Sequence, residues 1–267
     1  MNPTSFPSYR PRYLPGMTLA QIEALPDKHR TPVIVATGAI EQHGPHLPVA
    51  VDSFLGQVWL SRIFAELPDD VPALVAPPVT VGKSNEHVGF PGTVYISKET
   101  LGAQLLAIAR QLHTWGFRSL LILNTHGGNS AVVAYTLREI EAEFPGMKTG
   151  SLRSGARIEI DAQENAYGFH ANEVESSLMY ALLPGRCVPE AATCHYPARL
   201  EDPGRLRPES APATFAWASQ DISPNGIMGD ATAGTAEKGR RWADAMTAGY
   251  VASLTAHAVS LRANAVA

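Results

Sequence analysis

The sequence is short of several things, and each shortage narrows what the protein can be. It holds two cysteines in 267 residues, Cys187 and Cys194, neither in a CxxC pattern. Two thiols so placed make neither a disulfide framework nor a thiolate metal cluster, so a reducing, cytoplasmic setting is expected. Charge is scarce too: Asp, Glu, Lys and Arg make up 17% of the chain, and the net charge is −4. With no block of like charge, nucleic acid is not an expected partner. The low charge instead suits a surface partly covered in a homo-oligomer. No apolar stretch approaches the ~20 residues of a membrane helix. The opening MNPTSFPSYRPRYLPGMT lacks the basic-then-apolar order of a signal peptide. The GKS at 82–84 lacks the glycine five residues upstream that a GxxxxGK[ST] phosphate loop needs, and no GxGxxG turn occurs, which removes the common nucleotide-binding modules.

What is present is an alternation of apolar runs and amphipathic stretches. VIVATGAI (33–40) and LLILN (120–124) are continuously apolar and rich in branched residues, as strands buried on both faces are. ALVAPPVTVG and MKTGSLRS are further strand candidates. Helical spacing marks 53–67, 99–114, AVVAYTLREIEAEF, HANEVESSLMYALL and a long C-terminal stretch. Leu19 to Leu25, after Thr18, reads as a short helix. The expectation is a single α/β domain over 1–267, with a mostly parallel central sheet flanked by helices on both faces. Residues 1–16 read as an extended arm and 184–225 as mostly irregular.

Three polar clusters break this apolar pattern. Glu41 and His43 follow the first strand, two residues apart, so in extended chain they point the same way. Asp52, nine residues on, can fold back beside them and bridge two metals ~3.5 Å apart, or it can simply cap the next helix. His126 follows the second strand beside Gly127 and Gly128, with Asn129 and Ser130 placed to cap a helix; this is a ligand site or a glycine-rich turn. His170, Glu173 and Glu175 open a later helix, either as site residues or as favourable charges at a helix N-terminus. His46 reads equally as a ligand and as a supporting hydrogen-bonder of the loop, and Glu86 and His87 either reach the site from the neighbouring loop or hold that loop by hydrogen bonds.

Together GAIEQHGPHLPVAVD (38–52), SNEHVGFPGTVYIS (84–97), NTHGGNS (124–130), HANEVESS (170–177) and GIMGDATAGTAEKG (226–239) resemble the creatininase (creatinine amidohydrolase) family, in family order. The resemblance implies a creatininase-like fold and two divalent metal ions per subunit, zinc or manganese with iron as a third choice. It also implies hydrolysis of a non-peptide C–N bond in a small-molecule amide, often cyclic, and a homohexamer. By resemblance Glu41 and His126 are ligands of one metal, His43 of the other, and Asp52 is the bridge. His170 is the catalytic histidine, with Glu175 orienting it or standing behind the ligands. Creatininase proper carries a Tyr-Glu pair, its Glu a ligand, where this chain has Gly127 and Gly128. The likeness is therefore to an HGGN-type branch, with Glu173 as the replacement ligand. Gly127, Gly128, Asn129, Tyr167 and Phe169 are the expected substrate-binding residues. The 226–239 motif is expected to pack on the site or on a neighbouring subunit. A formamide deformylase, a peptide-maturation peptidase and a non-catalytic metal-binding relative are the alternatives.

Overall fold

The computed structural model describes residues 9–196 and 217–263. Its centre is a four-stranded, all-parallel sheet in the order β2-β1-β3-β4. The strands are β1 (Val33–Thr37), β2 (Leu74–Val75), β3 (Ser119–Asn124) and β4 (Lys148–Ser151). Alternate side chains of β1 and β3 feed the two faces. Ile34, Ala36, Leu121 and Leu123 pack against α2 (Val51–Glu66), α6 (Glu173–Leu182) and α8 (Ala236–Ala263). Val33, Val35, Leu120 and Ile122 pack against α3 (Lys98–Thr114) and α4 (Ser130–Glu143). Both faces are covered, which is why these strands read as unbroken apolar runs. β2 is only two residues long because Pro77 and Pro78 follow and cannot donate to a ladder. The sheet resumes only as a bridge from Val79 to Thr37.

The smaller elements are α1 (Leu19–Glu23), α5 (Ala162–Tyr167), α7 (Ser219–Ile222) and an antiparallel pair, β5 (Cys194–His195) with β6 (Gly229–Asp230). Thr18 and Gln21 form a capping box that starts α1. The arm differs from expectation. Over the described residues 9–16 it is two 3-10 turns rather than extended chain, each with a proline in its first turn that presets φ. Tyr9 and Leu14 are buried, so the segment is part of the packed body. Of 184–225, positions 197–216 lie outside the described residues; the remainder is short turns plus β5 and α7. Among the described residues no helix is long and apolar enough to cross a membrane.

The order of the sheet positions the site. From β1 the chain crosses to β2 on one side and then to β3 on the other, so a crevice opens beyond the carboxyl ends of β1 and β3. α6, which brings the third polar cluster there, lies flush on α8 because Gly239 has no side chain. A Cβ at Gly239 would strike the Ser177 carbonyl, whereas one at Gly185 would meet nothing. Gly239→Ala is expected to cost roughly 1–3 kcal/mol through overpacking, at about 2–4 °C of melting temperature per kcal/mol. Gly185→Ala should leave the melting temperature unchanged. Thermal unfolding by circular dichroism checks both; equal midpoints would mean the helix contact is not tight.

Candidate metal centre

After Thr37 the chain turns under α2: a Cβ on Gly38 would run into the Ser53 backbone. Ile40 bridges to Val94, and the Glu41 N–H donates to the Val49 carbonyl at 2.8 Å. This doubled-back loop sets Glu41 and His43 beside the first turn of α2, where Asp52 lies. Asp52 is no cap; the cap position is Ala50 and makes no side-chain bond. The Asp52 carboxylate instead points into the crevice. One oxygen, Oδ1, is 3.6 Å from His43 Nε2, and the other, Oδ2, is 3.3 Å from His126 Nδ1. His126 Nδ1 is also 3.3 Å from Glu41 Oε2, and His43 Nε2 is 3.7 Å from Glu175 Oε2.

These side chains are almost wholly buried, with Glu41 and His43 at 1% exposure, Asp52 at 2% and His126 at 5%. Yet Glu41 Oε2, Asp52 Oδ2 and His43 Nε2 have no hydrogen-bond partner. Burying a polar atom without a partner is costly, so orphans converging on one spot mark a site shaped for an occupant. Their spacing fits a cation, since tetrahedral ligands ~2.1 Å from zinc stand about 3.4 Å apart. The donor types, carboxylate and imidazole, are those divalent zinc or manganese takes. Two sets share Asp52: Glu41 and His126 on one side, His43 and Glu175 on the other.

Without that occupant, protons carry the balance. Burial opposes a charged His43, but Asp52 and then Glu175 outweigh it and push its pKa up to about 10. Burial likewise opposes charge on His126, and Glu41 and Asp52 raise it well above the ordinary value. Glu175 is pushed up to about 7 by burial, partly offset by His43. Burial, then the neighbouring His87 and His43, hold His170 well below the ordinary histidine range.

The third cluster sorts itself by helix start. Asn172 caps α6 by accepting the Glu175 N–H at 3.2 Å, and Glu175 curls back so that Oε2 accepts the Ala171 N–H at 2.6 Å. Ala171 holds a left-handed φ of 50° to present that N–H. Glu175 thus faces His43 and does not touch His170. Glu173, the expected ligand, points the other way: its Oε1 pairs with Lys238 Nζ at 2.5 Å, outside the cluster. The reason is its place at the first residue of α6, on the side that meets α8. Glu164, fully buried, fixes this start by accepting the N–H groups of Glu173 and Asp230 at 3.0 Å each and the Tyr196 hydroxyl at 2.9 Å.

His170 sits over the cluster, its ring 4.3 Å from His43 and 4.2 Å from His87, with Nδ1 3.5 Å from Glu41 Oε1. The 226–239 motif packs on this segment: Met228 exchanges backbone bonds with Phe169 and His170, and Gly226 lies against the Gln42 amide. His46 Nε2 meets the Ser176 hydroxyl at 2.8 Å, holding the loop to α6.

Two expected substrate contacts are otherwise engaged. Asn129 is fully buried, accepting the Lys83 N–H at 2.9 Å and donating to the Gly38 carbonyl at 3.0 Å, so it ties loops together. Gly128 is covered: a Cβ there would strike the Glu86 carboxylate and His126 Nε2. Gly127 is exposed, and Phe169 packs edge-on against Trp217 at 5.9 Å. Tyr167 is half-buried. Of the two sequence readings of Glu86 and His87, the structure favours the one in which both reach the cluster. Glu86 Oε1 lies 3.6 Å behind His126 at Nε2, and His87 Nε2 lies 3.5 Å from Glu41 Oε1. Glu86 backs the His126 nitrogen that faces away from Asp52, and with Glu41 and His126 it forms a further group of donors close enough to hold a cation. The N-x-x-E capping pattern at 172–175 was the sequence signal that would have favoured Glu175 over Glu173.

Because a cation must displace the proton on His43, metal uptake by the metal-free protein is expected to release protons. Affinity should fall about tenfold per pH unit per proton displaced as pH drops below the raised pKa. Calorimetric titration with zinc in two buffers of different ionisation enthalpy measures the release; zero net release would contradict the charge state assigned to His43.

A family model described as creatinine amidohydrolase (creatininase) matches residues 15–254. The chain is 32% identical over 211 residues to a mycofactocin precursor peptide peptidase of Mycolicibacterium smegmatis, covering 78% of each. To a 3-dehydro-scyllo-inosose hydrolase of Thermotoga maritima it is 26% identical over 254 residues, covering 88% of this chain and 79% of the other. A solved structure titled Creatininase Mn superposes with a TM-score of 0.72 at 24% identity, over 91% of this chain and 97% of that one. A mutant creatininase of Zn-Zn type gives 0.71 at 25% identity, over 91% and 96%. With a match that spans nearly all of the sheet, both helical layers and every residue of the buried cluster, this chain belongs to the creatininase family of metal-dependent amidohydrolases.

Proposed function

We propose that the protein hydrolyses a C–N bond of a small-molecule amide, using two divalent ions, zinc or manganese, held across Asp52. The observation that carries this reading is the pair of donor sets sharing one buried aspartate, with orphaned atoms on each side. Glu41, Asp52 and His126 would hold one ion and His43, Asp52 and Glu175 the other. A pair of such ions supplies Lewis acidity and brings a water's pKa toward neutrality.

The chain's own residues handle the rest. His170, buried and neutral, would take at Nδ1, the nitrogen that faces Glu41, the proton that the attacking water gives up, and pass it to the leaving nitrogen as the C–N bond breaks. Proton transfer of this kind contributes typically ~10²–10⁴-fold. Gly127 at the rim, with Tyr167 and Phe169 on the segment leading to His170, is where the substrate would lie. Assembly of copies belongs to the same reading, supported by the exposed apolar Val49, Val88, Val94 and Tyr95 near one another in the chain and its bridged loop.

A second reading, a peptidase, rests on the 32% identity to the mycofactocin precursor peptide peptidase. A panel of lactams, formamides and peptides ending in free carboxylates separates the two.

Elemental mass spectrometry on the wild type is expected to give near two metals per chain. Asp52→Ala should lose most of both, Glu175→Gln about one, and Glu173→Gln neither. Equal loss in the two glutamate variants would sink the assignment of Glu175. His170→Ala should keep its metal and lose at least ~100-fold in turnover on whichever substrate the panel finds; undiminished turnover would remove it from the mechanism.

A further inference from the structure

Gln42 sits between two of the histidines, and its contacts settle which way its amide points. Oε1 accepts the Gly44 N–H at 2.9 Å, so the other end is the NH₂. That Nε2 has three neighbours: the Gly226 carbonyl at 3.0 Å, His87 Nδ1 at 2.9 Å and His170 Nε2 at 3.0 Å. It has two hydrogens. His170 Nε2 lies 2.7 Å from the Gln42 backbone carbonyl oxygen, which can only accept, so this nitrogen carries the hydrogen and has no lone pair to offer. The two amide hydrogens therefore go to Gly226 and to His87 Nδ1. The Ser219 hydroxyl, 2.8 Å from the same His87 nitrogen, is a second donor to it.

A neutral imidazole with a bare Nδ1 carries its proton on Nε2. In His87 that N–H faces Glu41 Oε1 at 3.5 Å, with no other partner on that nitrogen among the described residues. The separation exceeds a relaxed hydrogen bond and lies within ion-pair range. His170 presents the opposite polarity to the same oxygen, a bare Nδ1. The two rings stack at 4.2 Å, and His87 is only 4% exposed, so neither can turn over freely.

We propose that His87 is a positioning residue for Glu41: locked as the Nε2–H form by Gln42 and Ser219, it holds Oε1 and leaves Oε2 for the ion beside His126 and Asp52. This rests on the dinuclear reading above. It divides the stacked pair into a fixed donor, His87, and a fixed acceptor, His170. It also explains why a glutamine follows Glu41: a glutamate there could not donate to Nδ1.

The test uses full-length protein with ¹⁵N-labelled histidine and long-range ¹H–¹⁵N correlation, the His87 signal being assigned by its loss in His87→Gln. The zinc-loaded wild type is expected to show His87 with Nε2 protonated and Nδ1 bare; a proton on Nδ1 overturns the proposal. Zinc affinity is then measured by competition with a chelator. His87→Phe keeps the ring stack and removes the N–H, and should weaken zinc by ~10-fold or more, as loss of an outer partner typically does. His87→Gln restores an N–H at similar reach and should recover most of that loss. Equal affinity in wild type and the Phe variant overturns the role of His87 alone. A wild type that takes up no zinc overturns the dinuclear reading, and the positioning role with it.

Discussion

Two buried carboxylates, a half-buried third and several buried imidazoles lie within a few ångströms of one another, and the rest of the molecule is arranged around that fact. Like charges at such range, stripped of water, repel strongly and cannot all stay ionised alone. The metal-free protein answers with protons, on His43 and His126, and by raising Glu175. Divalent cations would answer it better, because one ion offsets two charges and fills the space the orphaned atoms face. The apolar faces of the sheet, the covered loops and the low exposure all sharpen the electrostatics by keeping water out.

The architecture supplies this arrangement from parts that are far apart in sequence. β1 and β3 end side by side because they are neighbours in a parallel ladder, Thr37 opposite Asn124. That alone brings the Glu41 and His126 segments together. Asp52 comes from the helix that follows β1. Glu175 comes from α6, and its aim depends on Asn172, on the left-handed Ala171 and on the buried Glu164 beneath them. A site drawn from four elements stays precise only if each element is locked. Hence the close contacts at Gly38 and Gly239, against backbone, and at Gly226, against the Gln42 amide, where no Cβ would fit.

Much of this was legible in the chain and some was not. The two unbroken apolar runs identified β1 and β3 because burial on both faces leaves no polar alternation to confuse them. Polar clusters directly after those runs pointed to Glu41, His43 and His126, which the structure brings into one crevice at the strand ends. Asp52 was ambiguous, because a cap and a ligand look alike at a helix start. Glu173 and Glu175 could not be separated by spacing alone; one turn of helix holds both, and only its phase against α8 decides. Asn129 looked like a surface cap and is a buried tie. His87 was open between a site residue and a loop-holder because nothing linear links it to Glu41; the pairing of Ile40 with Val94 brings their loops together. The proline-rich start looked extended because proline favours that conformation and tight turns about equally.

Gly128 has a consequence for how such proteins diversify. Its missing side chain is the space that the Glu86 carboxylate and the back of His126 occupy, so a large residue at 128 and an inward-facing glutamate at 86 exclude each other. The two positions are 42 apart in the chain yet cannot be changed independently. A lineage carrying a ligand-bearing side chain after this histidine and one carrying glycine there are separated by a coordinated step. Either single change passes through a crowded or a hollow intermediate. Branches within this fold should therefore be discrete, with few chains in between.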